Sequence, residues 1–102
     1  MISRPVTIVN QLGMHARASA KFVHLAARFS SRITVSRDGR EMDGKSVMGL
    51  LLLAAARGST IVISADGGDE LDALNALGAL VEGGFGEDDP EQGSLFVDRS
   101  QG

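Results

Sequence analysis

The segment at residues 13–18 has the sequence GMHARA and joins a glycine turn to a helix-forming run. It places His15 just before the predicted helix and Arg17 in the first helical turn. The first backbone N–H groups of a helix lack partners within the helix, and the helix dipole is positive at this end. Both features favour an anion, and an arginine adds a forked, charged donor for oxygen atoms. The segment therefore predicts a histidine that carries an anion, and the other elements are arranged around it.

Two interpretations of His15 follow from the residues alone. A neutral imidazole is a nucleophile that forms and breaks a bond to phosphorus readily, and the chain has no Cys to serve instead. Alternatively, His15 is only the cap of its helix. A metal site is not expected, because His15 and His24 are about half a turn out of phase on a helix of about 3.6 residues per turn. We therefore expect no metal ion and no cofactor, while the carrier and the cap both stay open.

Hydrophobic periodicity predicts the order β-α-β-β-α-β-α. Strands are expected at residues 6–9, 32–36, 40–43 and 60–65, and helices at residues 16–29, 47–57 and 70–82. Asp38-Gly39 is a hairpin turn, Ser46 is an N-cap, and Gly58 is the expected end of the second helix. This order is typical of an α+β fold with a four-stranded antiparallel sheet and three helices on one face. The expected core comprises Val6, Ile8, Ala18, Phe22, Leu25, Phe29, Ile33, Val35, Ile61, Ile63, Ala65, Leu74, Leu77 and Val81.

Basic residues recur on one face of the first predicted helix, at Arg17, Lys21, His24 and Arg28. Such a face is either simply solvated or a docking surface for an acidic partner. The residues alone leave both interpretations open.

The second predicted helix is apolar on nearly every side. So small a domain is not expected to bury all of these faces, which predicts an exposed apolar patch among Val47, Met48 and Leu51. A partner-docking surface is one interpretation of this patch, and a tightly wrapped central helix is the other.

Composition excludes several classes of protein. The 102 residues carry a net charge of −3, and only 4% are aromatic, with no Tyr or Trp, which argues against a nucleic-acid partner. No apolar run reaches the roughly 20 residues needed to cross a bilayer, and residues 1–5 lack a signal-like apolar region. We expect a cytoplasmic monomer with no membrane association. Residues 1–86 form the predicted domain, and the acidic residues 87–102 form a flexible tail that holds a short apolar piece at 94–97.

Two segments resemble the HPr family, the histidine-containing phosphocarriers of the bacterial phosphoenolpyruvate:sugar phosphotransferase system. GMHAR at 13–17 with AKFV at 20–23 resembles the active-site signature, and GKSVMGL at 44–50 resembles the regulatory-serine segment. The similarity extends over about residues 5–86. It implies an open-faced β-sandwich, phosphorylation of His15 with Arg17 beside it, and Ser46 as the target of HPr kinase/phosphorylase. It also implies Enzyme I as phosphoryl donor and an EIIA-type domain as acceptor, so that the chain is a carrier rather than an independent enzyme.

Some features depart from the family pattern. Position 18 is Ala where many members have Pro, which would pre-set the first turn, so we expect a slightly looser helix start. The GGFG ending at 83–86 resembles the nitrogen-related branch called NPr, whereas the Ser46 segment resembles HPr from bacteria that own the kinase. Both branches stay open. The alternative function is a small regulatory domain that docks through the Met48/Leu51 patch without phosphate transfer.

Overall fold

The computed structural model describes residues 1–87, and these contain the predicted order of elements. The elements are β1 (Ile2–Thr7), α1 (Ala16–Ala26), β2 (Arg32–Arg37), β3 (Arg40–Asp43), α2 (Val47–Leu53), β4 (Thr60–Asp66) and α3 (Glu70–Glu82), followed by a 3₁₀ turn, η1 (Gly84–Gly86). Of the predicted tail, Glu87 is described, whereas the rest, including the apolar piece at 94–97, lies outside the described residues. The longest helix in the described part is α3, and none there is long and apolar enough to cross a membrane.

The four strands form one antiparallel sheet with the order β1-β4-β2-β3. Ile63 in the central strand β4 lies opposite Arg4 on one side and Val35 on the other. The short, polar strand β3 is at an edge, where charged side chains discourage pairing with other chains. The hairpin from β2 to β3 turns at Asp38 (φ 52°) and Gly39 (φ 84°), two left-handed residues as its sequence predicts. The predicted α+β fold is therefore confirmed.

The core lies between the sheet and the helices. Helix α3 packs against β1 and β4, α2 packs against β2 and β3, and α1 packs against α2 and α3. Most of the predicted core residues are buried, but Leu25 and Phe29 are only partly buried and Ala26 is buried instead. The core also includes residues that the strand and helix patterns did not single out, namely Met14, Leu50, Leu53, Ala55, Ala73 and Phe85.

Strand β1 begins earlier than predicted and ends at Thr7 rather than at position 9. The sequence did not indicate this earlier start, because the stretch before Val6 is polar and Pro5, which lacks a backbone donor, argues against a strand. Strand β1 is the other edge of the sheet, and edge strands tolerate proline. Ile8 is buried as predicted, although it lies beyond the strand and its N–H donates to Ser59 O at 2.8 Å.

Helix α2 ends at Leu53 and not at residue 57, so the predicted helix end at Gly58 is wrong. Ala54 adopts the left-handed conformation there, with φ 51°. The Arg37 guanidinium donates to Leu53 O at 2.9 Å and to Ala54 O at 3.2 Å, which satisfies two terminal carbonyl groups. A side chain from a different element therefore ends the helix, and sequence periodicity within α2 contains no sign of it.

Helix α1 also ends earlier than predicted, at Ala26 rather than at residue 29. The next two residues continue in tighter turns, because Arg28 N–H donates to Leu25 O at 3.0 Å and Phe29 N–H donates to Ala26 O at 3.1 Å. These are 3₁₀-type bonds, which commonly tighten the last turn of a helix. The bonding pattern changes while the apolar spacing continues, which explains the longer prediction.

Candidate functional site

A tight turn at Gly13 presents the segment that leads into α1. Gly13 has φ +66°, and a Cβ atom at this position would lie 2.5 Å from Ala55 O. Asn10 closes the turn from both sides, since its carbonyl accepts from Gly13 N–H at 3.2 Å and its Nδ2 donates to Gly13 O at 2.8 Å. Met14 is buried, and its N–H donates to Ala55 O at 2.9 Å. The turn is thus held against the loop that follows α2.

His15 is the N-cap of α1, with an extended backbone (φ −70°, ψ −179°). Its Nδ1 accepts from Arg17 N–H at 3.3 Å, and its carbonyl accepts from Ser19 N–H at 2.8 Å. The side chain is only 25% exposed, so the protein fixes most of the ring and leaves part of it accessible. His15 can therefore be both the cap of α1 and a nucleophile, because the capping bond directs the Nδ1 lone pair toward the positive end of the helix.

The other ring nitrogen of His15 faces Glu87. The Nε2 atom contacts Glu87 Oε2, and Glu87 Oε1 accepts from Asn10 Nδ2 at 3.0 Å. The Glu87 side chain is only 22% exposed. Sequence reasoning missed this residue, because it is 72 positions from His15 and the acidic composition from position 87 onward predicts the start of a tail. The one local signal is the sequence GGFG at 83–86, just before Glu87. Its glycines allow the chain to reverse direction, and Phe85 is an apolar residue that can anchor the segment in the core.

The predicted basic face exists on α1. Arg17, Lys21, His24 and Arg28 are all exposed, and with Ala20, Leu25 and Leu80 they line an open groove beside α3. The Lys21 ammonium is held on one side of this groove, where it donates to Phe85 O at 2.7 Å. The groove includes Arg17, whose N–H bonds to the His15 ring, so one end of the groove lies close to His15.

Helix α2 carries the other predicted site residues. Ser46 is its N-cap, as predicted, and Ser46 Oγ accepts from Gly49 N–H at 3.0 Å. The exposed fraction is 66% for Met48 and 36% for Leu51, while Val47 is half-buried. Leu52, which the sequence did not single out, is 53% exposed. An apolar patch is thus present on α2, and α2 packs against the helix that His15 caps.

A second polar cluster fixes the loop that follows α1. The Asp69 carboxylate accepts from Ser31 Oγ and from the backbone N–H groups of Ser30 and Ser31, each of the latter at 2.9 Å. These bonds, that of Ser31 Oγ first, lower the pKa of Asp69 to about 2. The cluster ties the loop after α1 to the start of α3. Nowhere in residues 1–87 do three or more His, Asp or Glu side chains form a group that could hold a metal ion.

Known proteins are similar to this chain in both sequence and fold. Residues 2–83 match the PTS-HPr family model, described as the PTS HPr component phosphorylation site. The chain is 52% identical over 87 residues to Phosphocarrier protein HPr of Cupriavidus necator, an alignment that covers 85% of this chain and 98% of the relative. It is 46% identical over 87 residues to Phosphocarrier protein HPr of Neisseria meningitidis serogroup A, with the same two coverages. The crystal structure of HPr-C-His from Thermoanaerobacter tengcongensis superposes with a TM-score of 0.84 at 40% identity, and covers 87% of this chain and 100% of that chain.

Proposed function

Because the chain belongs to the HPr family and is a phosphocarrier of the phosphotransferase system, we propose that His15 accepts a phosphoryl group from Enzyme I and passes it to an EIIA-type domain. The accepting atom is Nδ1. One observation carries this proposal: Nδ1 of His15 faces the first-turn N–H groups of α1, with the Arg17 N–H at 3.3 Å. A phosphoryl group on Nδ1 would lie where a helix N-terminus stabilises an anion.

The proposed transfer is a displacement at phosphorus, in which one bond forms and one bond breaks. The Nδ1 lone pair forms the new N–P bond while the bond from phosphorus to the donor breaks, and the donor atom leaves with the electron pair. The phosphoryl oxygens then replace Nδ1 as acceptors of the Arg17 N–H. The helix dipole contributes about 0.3–1 kcal/mol, and a bond from the exposed Arg17 guanidinium contributes about 1.5–3 kcal/mol. These modest energies suit a group that must be released again.

The test uses the two histidines of α1. The chain is incubated with Enzyme I and radiolabelled phosphoenolpyruvate, beside His15→Ala and the matched control His24→Ala. We expect acid-labile, alkali-stable label on the wild type and on His24→Ala, and none on His15→Ala. Label that persists on His15→Ala would refute the assignment of His15. If an active Enzyme I labels no form of the chain, the phosphate-free docking function becomes the better explanation.

Partner docking is proposed to use the basic groove together with the apolar patch on α2. The exposed cations of α1 attract an acidic partner surface, and Met48 and Leu51 supply apolar contact beside them. Charge reversal by Arg28→Glu should slow transfer from Enzyme I at low salt and have less effect at high salt. Arg28 is chosen because Lys21 also holds the Phe85 carbonyl. The control is Arg40→Glu, which makes the same charge change on the exposed edge strand. Equal rates for both variants at low salt would contradict a steering role.

Regulation at Ser46 is a second proposal, in which HPr kinase/phosphorylase is the modifying enzyme. Ser46 lies two positions before the exposed Met48, so a phosphate there adds about −1.5 to −2 charges beside the apolar patch. That charge repels an acidic partner and resists desolvation on docking. Ser46→Asp should therefore slow transfer to His15, whereas Ser46→Ala, which removes the cap without adding charge, should not. Equal transfer rates to the wild type and Ser46→Asp would refute this proposal.

We propose that the carrier acts as a monomer, because both ring nitrogens of His15 have their contacts from Arg17 and Glu87 of the same chain. Sedimentation at assay concentrations should then give a mass of 10.7 kDa. A dimer mass under those conditions would overturn the monomeric state without affecting the assignment of His15.

A further inference from the structure

We infer that Glu87 is a positioning residue for His15. Its carboxylate accepts the Nε2 proton of the ring and so leaves the lone pair on Nδ1, the atom proposed to take the phosphoryl group. The inference rests on the proposed function of His15, and its first test is independent of phosphate transfer.

The Glu87 carboxylate is held at both of its oxygen atoms. Oε2 meets His15 Nε2, and Oε1 accepts from Asn10 Nδ2 at 3.0 Å. Asn10 is itself only 5% exposed, and its Nδ2 is fixed by a second bond to Gly13 O at 2.8 Å. The turn that presents His15 therefore also orients the carboxylate that faces it.

These contacts select one tautomer of the neutral ring. An ionised carboxylate only accepts hydrogen bonds, so Nε2 must carry a proton to bond with it. A backbone N–H only donates, so Nδ1 must present a lone pair to the Arg17 N–H. Both contacts are satisfied by the Nε2–H tautomer, and the Nδ1–H tautomer satisfies neither. Glu87 and the helix N-terminus thus act on opposite sides of the ring toward the same result.

The segment before Glu87 is anchored so that the carboxylate reaches the ring. Phe85 is buried in the core with φ 60°, and its carbonyl accepts from Lys21 Nζ at 2.7 Å. Glu87 N–H then donates to Gly84 O at 3.0 Å, which closes the turn. Lys21 is thereby linked to the site, since it secures the turn that delivers Glu87.

A carboxylate at Nε2 favours the phosphorylated ring as well as the free one. When Nδ1 gains the phosphoryl group and Nε2 keeps its proton, the ring becomes cationic, and the adjacent carboxylate stabilises that charge. The proton stays on Nε2 throughout, so no base is needed. Because Glu87 contacts the other nitrogen, it does not compete with the phosphoryl oxygens for the first-turn N–H groups.

The test compares Glu87→Ala with Glu82→Ala in the full chain, because the amide oxygen of a glutamine could still accept the Nε2 proton. Glu82 on α3 is the matched control, since its carboxylate pairs with Arg4 at 2.6 Å and its replacement makes the same charge change. Imidazole ¹⁵N spectra at pH 8.5 should show the Nε2–H tautomer for His15 in the wild type and in Glu82→Ala, and a mixture of the two tautomers in Glu87→Ala. His24 is an internal reference that should not change. The rate of transfer from Enzyme I should fall severalfold in Glu87→Ala, and Glu87→Asp, which keeps the charge, should recover part of it.

The possible failures are distinguishable. An unchanged His15 tautomer in Glu87→Ala overturns the positioning role, whether or not the rate falls. An unchanged rate with a shifted tautomer overturns the link to phosphate transfer. Wild-type chain that accepts no label refutes the carrier function of His15 instead, and the tautomer measurement still reports on Glu87. Matching thermal midpoints for the two Ala variants would establish that a difference between them comes from the site and not from unfolding.

Discussion

Replacement of Gly13 by Ala tests how strongly the His15 turn depends on its close approach to the chain after α2. An alanine at φ +66° costs about 1–2 kcal/mol from the left-handed conformation alone. Its Cβ would also lie 2.5 Å from Ala55 O and 2.9 Å from Ala56 Cα, and backbone atoms cannot rotate away. Relief requires a shift of the loop, which costs about another 1–3 kcal/mol on the scale of overpacked cores. We therefore expect Gly13→Ala to lower the free energy of unfolding by about 2–5 kcal/mol.

Gly58→Ala is the matched control, because Gly58 has φ +90° and a Cβ there would meet no atom within 4 Å. Gly58→Ala should lower the free energy of unfolding only by the cost of the left-handed conformation, about 1–2 kcal/mol. Urea unfolding followed by circular dichroism measures both variants, and each kcal/mol corresponds to about 4–8 °C in Tm for a domain of this size. Equal losses in the two variants would refute the argument that contact with Ala55 makes Gly13 necessary. A slower phosphotransfer in Gly13→Ala alone, well below its midpoint, would extend the argument to His15.

Other predictions concern stability. Asp69 has a pKa of about 2 against an ordinary 3.8, so its contribution to stability should be complete above pH 4 and lost as the pH falls toward 2. Asp69→Asn should lower Tm at pH 5 and flatten its decline down to pH 2, and a parallel decline would contradict this. Ser46→Ala removes the α2 cap and should cost about 0.5–2 kcal/mol in urea unfolding, so no loss would mean that the bond to Gly49 is dispensable. Leu50→Ala should cost about 2–5 kcal/mol because Leu50 is fully buried, whereas the exposed Leu52→Ala should cost under about 0.5 kcal/mol, and similar losses would contradict this difference.

The parts of the fold that sequence reasoning predicts well are those with local causes. The hairpin at Asp38 and Gly39 follows from two left-handed residues in succession, and the Ser46 cap follows from a hydroxyl just before an apolar run. Helix α3 was predicted with its observed bounds, because acidic residues begin it and a glycine pair follows it. In each case the sequence neighbours that determine the structure are within a few positions.

The wrong boundaries of α2 and β1 have distant causes. Helix α2 ends where the Arg37 guanidinium, from strand β2, takes its terminal carbonyl groups. Strand β1 includes Pro5 because it lies at a sheet edge, a fact that only the strand order reveals. The sequence of α2 does not reveal its contact with Arg37, and the sequence of β1 does not reveal its place at the sheet edge.

The candidate site divides in the same way. His15 and Arg17 were found from a short motif, but Glu87 and Asn10 were not, since only the folded chain brings the carboxylate to the ring. The slightly looser start of α1 that Ala18 led us to expect stays a prediction, although two features hold this end of the helix. Ser19 Oγ donates to Met14 O at 3.0 Å, and Ala18 itself is fully buried.

His15 is held by three separate parts of the chain, which links its chemistry to the stability of the whole fold. The Asn10 turn presents it, the loop at Ala55 supports that turn, and the segment around Phe85 brings Glu87 to the ring. A helix N-terminus alone offers an anion only weak stabilisation, about 0.3–1 kcal/mol on an exposed site. Its effect depends on a ring held in one orientation, and each of the three supports supplies contacts that hold it there. A change that loosens the Ala55 loop or the Phe85 turn should therefore impair the proposed phosphate transfer before it unfolds the protein, even though the hydrogen bond at His15 Nδ1 comes from Arg17.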